Sequence, residues 1–291
     1  MKPAPFDYHA PRTLEAAIAL LARFELEGVE ARVLAGGQSL MPMLAMRVAR
    51  PQVLVDLGKV EGLDYIRADG DALLIGAMTT KTAAAESALV AAQQPLFHAA
   101  TRLVGHRQIR NRGSVGGSFA HADPASEYPA VALVQDLQFR ARGPSGERWI
   151  PAAQFFVSYM TTRLDPAEIL AEVRLPPLPP GTGWAIQEFA RRSGDLALAG
   201  IAATLRRERG QCTDVRICAF GVNATAVRLP AAEQALLGRP ADGEHFSRAA
   251  AIAGESLEEP MSCIHASADY RRQLVRVLTG RCLEEAATRA A

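Results

Sequence analysis

Residues 110–129, RNRGSVGGSFAHADPASEYP, combine glycines, hydroxylated side chains and an acidic tail. Gly113, Gly116 and Gly117 carry no Cβ, so the backbone there can adopt φ > 0 and approach a ligand closely. Successive N–H groups turned inward would form an anion-binding concavity, and Ser114, Val115 and Ser118 complete the run, the two serines adding hydroxyl donors. That chemistry suits the phosphates of a nucleotide cofactor. The same residues would also serve as a glycine turn between two core elements.

Residues 35–40, Ala35, Gly36, Gly37, Gln38, Ser39 and Leu40, form a second such stretch. An apolar run over 32–35 predicts a short buried strand that stops at the diglycine. The stretch has neither the G-x-G-x-x-G spacing of a Rossmann turn nor the lysine of a P-loop. Its weight comes from the pairing, because two loops can grip a pyrophosphate from both sides. His121 and Asp123 admit a proton relay. They equally admit a loop-holding role, since Asp commonly bonds the backbone two residues on. Arg107 reads as a phosphate contact or a surface charge. Arg191 and Asp195 read as an ion pair fixing a turn or as a contact to a cofactor edge. Met41, Met43 and Met46 read as core fillers.

The elements that would position these residues follow from periodicity. Leu14, Ala17, Ile18 and Leu21 are spaced for a helix with Thr13 as N-cap. QVLVDLG and ALLIG predict short strands, MTTKTAAAESALV one helix capped by Thr79 or Thr80, and 95–104 another. After these, LQFRAR, EILAEVRL, WAIQEFARR, GIAATLRRE and TDVRICAFGV alternate or carry β-branched and aromatic residues, as strands do. Residues 175–183, LPPLPPGTG, predict an extended linker and a domain boundary at about residue 178. Near the end, Tyr270, Leu274, Val277, Leu278 and Leu283 predict one apolar face of a long helix, with Arg271, Arg272 and Arg276 solvated or forming a docking surface.

The chain has 291 residues, 49% hydrophobic and 22% charged, with a net charge of +1. That length predicts about two domains. Near-neutral charge argues against a general affinity for nucleic acid or an anionic membrane surface. No apolar run approaches the roughly 20 residues of a membrane span. The opening MKPAPFDYHAPRT lacks the apolar segment of a secretory signal, which predicts a cytoplasmic protein. Cys212, Cys218, Cys263 and Cys282 have no metal-site spacing and read as buried thiols.

Four stretches together resemble one family: AGGQSLMPML, RNRGSVGGSFAHADPASEYPA, RRSGDLALAGIAA and SADYRRQLVRVL. In this order, and across nearly the whole chain, they are similar to the FAD-binding medium subunit of the molybdenum hydroxylases, of the carbon monoxide dehydrogenase type, and to xanthine-dehydrogenase-like FAD domains. The resemblance implies an α/β (α+β) fold. Two α/β subdomains, split near residue 57, would form an FAD-binding domain over 1–178. A smaller C-terminal α/β domain with an antiparallel sheet and helices would occupy 179–291.

The resemblance also implies non-covalent FAD. Residues 35–40 match the first pyrophosphate loop, and Ser114, Val115, Gly116, Gly117 and Ser118 match the second. Asp123 and Glu127 fall where the family offers a carboxylate to the ribityl region. Ile169 and Leu170 fall where relatives pack apolar groups near the isoalloxazine, and Gln187 near a polar group beside that ring. Gln38 stands where many relatives have His or Thr, Glu127 where Asp is usual, and Cys263 near a usual Asp. The implied function is electron transfer, with no catalytic acid–base residues and no metal on this chain. Substrate chemistry would occur at a molybdenum cofactor on a large subunit. Electrons would pass through [2Fe-2S] clusters of a small subunit to FAD and then to NAD, a quinone or another acceptor. The complex would be a dimer of heterotrimers. A self-contained flavin oxidase would need a substrate pocket and acid–base residues in the last third. A flavin-free assembly subunit would need no intact glycine loops.

Overall fold

The computed structural model describes residues 1–291, and its chain builds three principal sheets in succession. The first has three parallel strands, Asp7–His9, Val53–Asp56 and Ala31–Leu34, with Val53–Asp56 in the middle. Parallel strands need crossovers: helix Leu14–Leu26 carries the chain from Asp7–His9 to Ala31–Leu34 at the opposite edge, and the short helix Leu40–Ala45 lies on the return to the central strand. Thr13 caps helix Leu14–Leu26 by accepting from the Ala16 amide at 3.2 Å. Its face of Leu14, Ala17, Ile18, Leu21 and Phe24 packs on Val53 and Val55. Strand Ala31–Leu34 exists but is only half-buried, because it lies at the sheet's edge and its end opens into a cleft.

The second sheet is five-stranded and antiparallel, in the order Ile66–Asp69, Ala72–Gly76, Ile169–Leu175, Gln138–Gly143, Gly146–Pro151. Between Gly76 and Gln138 the chain runs through six helices: Lys81–Glu86, Ala88–Gln93, Pro95–Leu103, Arg107–Arg112, Val115–His121 and Glu127–Val134. The single helix expected over MTTKTAAAESALV is broken at Ser87. That side chain accepts from the Val90 amide and starts a new helix instead of continuing the first, the competition expected of serine. Phe97, Phe119, Tyr128, Phe139 and Phe155 stack in series beneath this sheet.

The third sheet is an antiparallel meander, Gly183–Phe189, Ala199–Glu208, Gln211–Phe220 and Val227–Arg228. Arg209 and Gly210 both take positive φ in its tight hairpin, the conformation a two-residue turn requires. Helices Pro230–Leu236, Gly243–Glu255 and Ala268–Arg289 cover one face. Against the other lies helix Glu127–Val134, whose Ala130 and Val134 share a core with Ala202, Cys218 and Phe220. Residues 176–182 join the second and third sheets, and Gln94 donates to the carbonyls of Leu175 and Pro176 there. No helix is long and apolar enough to cross a membrane.

Four expectations are corrected. The buried face of Ala268–Arg289 is Arg271, Val275, Leu278, Thr279, Cys282, Leu283 and Ala286, while Tyr270 and Val277 are exposed. Arg271, 5% exposed, is not solvated, because its guanidinium donates to the carbonyls of Leu198 and Gly221 and so can enter the core. Cys263 is exposed, unlike the other three cysteines, because it lies in the loop before this helix. Met41 and Met46 are exposed as well, since only Leu44 of the short helix Leu40–Ala45 turns inward.

Candidate functional site

A cleft of about 820 Å³ opens where the first sheet meets the helices above the second. One wall is residues 35–40, which continue from the edge strand Ala31–Leu34. The opposite wall includes Gly113, Ser114, Gly117, Ser118 and His121, with Lys81 beside them. Residues 160–166 close a further side.

The first wall has the properties of an anion cradle. Gly37 takes φ +72°, which turns the chain. None of the amides of Gly36, Gly37, Gln38, Ser39 and Leu40 donates to a backbone carbonyl or a side chain. Gln38 folds back to donate to the Gly36 carbonyl at 3.2 Å, and the Ser39 hydroxyl makes no cap bond. A consecutive row of unpaired amides on a cleft wall is a ready donor set for phosphate oxygens.

The second wall differs from the expected glycine loop. It is a helix, Val115–His121, capped by Ser114, whose Oγ accepts from the Gly117 amide at 3.2 Å. The Val115 amide donates to the Thr79 carbonyl and the Gly116 amide to the Ala77 carbonyl, each at 2.9 Å. The inward-turned N–H groups expected here are therefore consumed within the chain. Val115 is buried in the aromatic core, and Gly116 faces Ala77, where an added Cβ would lie 2.3 Å from the Ala77 Cβ. Neither lines the cleft. The glycine at 116 serves packing. What this wall presents to a ligand is the bare face of Gly117 and the hydroxyls of Ser114 and Ser118.

The two walls touch. A Cβ on Gly36 would stand 2.2 Å from the Arg112 carbonyl oxygen, and one on Gly117 would stand 3.1 Å from the Ala35 Cβ. The motifs are 70-odd positions apart and meet backbone to backbone, roughly as a pyrophosphate clamp requires.

At the cleft's inner side is a cluster of titratable groups, of which Lys81 and His121 line the cleft and Glu127 and Glu188 do not. Lys81, 7% exposed, opens helix Lys81–Glu86 after its cap Thr80. Burial holds its ammonium down at about 8, with Glu127 opposing that shift. Burial likewise pushes the Glu127 carboxyl up to about 7, and Lys81 pulls against it. His121 is lowered, first by burial. Glu188 is pushed up to about 8 by burial and by Glu127. No motif flags Lys81; its only signal is its place just after the paired threonines that follow strand Ala72–Gly76. Asp123 accepts from the Ala125 amide at 2.9 Å, the loop-holding role, and does not line the cleft. Arg191 and Asp195 pair at 3.7 Å across their turn.

Three candidates lie elsewhere. Ile169 and Leu170 are buried in the central strand of the second sheet, Ile169 toward the first subdomain's core and Leu170 toward the aromatic one. Gln187 donates to Glu285 at 2.7 Å, toward the C-terminal helix. None of the three lines the cleft.

The donor row, the hydroxyls, the buried lysine and a volume inside the roughly 300–1,000 Å³ usual for ligand pockets fit a dinucleotide. Comparison with known proteins agrees. Residues 4–178 match the family described as FAD binding domain in molybdopterin dehydrogenase, and residues 184–286 match the CO dehydrogenase flavoprotein C-terminal domain. The 6-hydroxypseudooxynicotine dehydrogenase complex subunit alpha of Paenarthrobacter nicotinovorans is 40% identical over 100% of this chain and 97% of its own length. The carbon monoxide dehydrogenase medium chain of Hydrogenophaga pseudoflava is 36% identical over 100% of both. The solved carbon monoxide dehydrogenase of that organism, in a form lacking the Mo-pyranopterin moiety, superposes with a TM-score of 0.95, covering 100% of both chains at 38% identity.

Proposed function

Because the chain belongs to the FAD-binding medium subunits of the molybdenum hydroxylases, we propose that it is the electron-transfer subunit of such a complex in the cytoplasm. It is an oxidoreductase subunit and a flavoprotein. In this reading it takes electrons from [2Fe-2S] clusters on a small subunit, after substrate oxidation at molybdenum on a large one, and passes them to NAD, a quinone or another acceptor. The assembly is a dimer of heterotrimers. When bound, FAD supplies the conversion between one-electron and two-electron transfer.

The chain's own residues bind and orient. The amides of residues 36–40 and the hydroxyls of Ser114 and Ser118 hold the pyrophosphate. Glu127 does not line the cleft, and its carboxyl acts there through the charge of Lys81. The domain division is residues 1–178, in two subdomains split near residue 57, and 179–291. The observation that carries this reading is the row of unpaired amides at 36–40 set against the Ser114-capped helix.

The test is the visible spectrum of the purified chain before and after acid precipitation. Yellow absorbance released to the supernatant, and running as FAD on chromatography, supports non-covalent FAD. Colour retained in the pellet, or none with or without partner subunits, overturns it.

A further inference from the structure

Two basic side chains other than histidine line the cleft, Arg32 and Lys81. Arg32 is exposed and paired with Glu30 at 3.3 Å. Lys81 is more than nine-tenths buried as a residue, while its Nζ, which has no hydrogen-bond or ion-pair partner in the chain, keeps an opening onto the cleft. Its Cδ lies 3.7 Å from where a Gly113 Cβ would stand, with the Gln38 Cγ 3.6 Å from the same point, and its Nζ lies 5.6 Å from the Tyr128 ring centroid. Holding an ammonium in so nearly buried a place is costly, and titratable groups perturbed in this way cluster at ligand sites.

Its neighbours do not supply that partner. Helix Glu127–Val134 brings Glu127 and Tyr128 toward it, and helix Val115–His121 brings His121, followed by Asp123. On helix Arg107–Arg112, which packs on Lys81's own helix, Arg107 approaches Glu86 at 4.0 Å and Arg110 is tied to the carbonyls of Val104 and Gly105. On helix Pro95–Leu103, His98 bonds the Ala85 carbonyl. Residues 36–40 bring no titratable side chain. Glu188 feels the charge of Glu127 and makes no ion pair with Lys81.

We propose that the Lys81 ammonium receives an anionic oxygen of the bound dinucleotide, so that cofactor binding and protonation of this side chain are linked. The inference rests on the FAD reading above. The oxygen belongs to the pyrophosphate, the one anionic group of the oxidised dinucleotide between pH 7 and 9. The cation pulls an anion to the buried end of the cleft, while the amides of 36–40 hold the other side.

The full chain, stripped of flavin, is titrated with FAD by calorimetry at pH 7 and 9 in two buffers of different ionisation enthalpy. With Lys81 half-deprotonated at about 8 in the free chain, wild-type affinity falls by about tenfold between pH 7 and 9, with nearly one proton taken up at pH 9. Lys81→Met weakens FAD binding by about 10- to 100-fold at pH 7 and abolishes the proton uptake. Lys81→Arg keeps the affinity and flattens its pH dependence, which guards against a packing artefact. ADP serves as the second probe. An equal loss for ADP in Lys81→Met assigns the oxygen to the pyrophosphate. Unchanged ADP binding in Lys81→Met overturns the pyrophosphate assignment. Lys81→Met that binds FAD like wild type, with the same proton uptake, overturns the proposal while leaving the cofactor reading intact. A wild-type chain that binds no FAD overturns both.

Discussion

Gly36 and Arg112 are in direct backbone contact: a Cβ on Gly36 would lie 2.2 Å from the Arg112 carbonyl oxygen. The contact sets the separation of the two cleft walls. Gly36→Ala must push them apart, since neither partner is a flexible side-chain end. Overpacking of this kind costs about 1–3 kcal/mol. The expected outcome is a lowered melting temperature together with a flavin-to-protein ratio well below one per chain, measured on the same preparation.

Gly116 tests packing apart from ligand contact. Its missing Cβ faces Ala77 and not the cleft. Gly116→Ala should destabilise the fold by about 1–3 kcal/mol in denaturant unfolding. Ser118→Ala, on the cleft wall, should do the reverse, leaving unfolding nearly unchanged and weakening FAD binding by about tenfold, as loss of one hydrogen bond implies. If Gly116→Ala unfolded like wild type, the assignment of this glycine to packing would be wrong.

Glu127 makes stability depend on pH. Its folded-state value of about 7 stands above the 4.5 of an ordinary glutamate. The folded chain therefore holds a proton that the unfolded chain releases, and this contribution is complete below about 4.5 and lost as pH rises through 7. The shift corresponds to a few kcal/mol, about 3 at most. Thermal melts of the flavin-free chain from pH 5 to 8 should show wild type losing stability and Glu127→Gln losing less. Parallel curves for the two proteins would refute the assignment.

Arg271 and Arg272 are adjacent and should behave oppositely. Arg271 is buried and holds the Leu198 and Gly221 carbonyls, whereas Arg272 pairs with the exposed Asp269 at 3.2 Å. Arg271→Ala leaves buried acceptors unmet and should cost about 3 kcal/mol or more. Arg272→Ala should stay within about 0.5 kcal/mol. Equal effects in urea titration would contradict the buried role.

A thiol reagent should find one fast cysteine in the native chain. Cys263 is exposed, and hydrogen bonds from the His265 and Ala266 amides, with Arg271 nearby, lower its thiol below the ordinary range. Burial raises the other three. Peptide mapping after brief labelling should recover Cys263 alone, the rest reacting only in denaturant.

Strands and caps were legible because they are written locally. Thr13 caps its helix, and ALLIG is a strand, on neighbours a few residues away. The first glycine stretch was legible for the same reason, since a diglycine after a strand turns the chain wherever it sits. The second was misjudged in kind. Whether the Val115 and Gly116 amides are free depends on Thr79 and Ala77, which no local pattern ties to them. Lys81 escaped notice because a lysine at a helix start is normally solvated, and only the fold buries it. The arginine at 271 was misplaced because its acceptors, Leu198 and Gly221, are brought near by the sheet.

Strand Ile169–Leu175 occupies the centre of the second sheet, between Ala72–Gly76 and Gln138–Gly143. It is synthesised after every other strand of that sheet. Until the ribosome has released residue 175, the sheet has a gap down its middle, and the Ala77 amide lacks its acceptor on Ala171. The segment that carries Ala77 and Thr79 is also what fixes the Ser114-capped helix. The cleft thus comes into being only after residue 175 has emerged, so cofactor loading must follow completion of the second sheet, although every residue lining the cleft is made earlier.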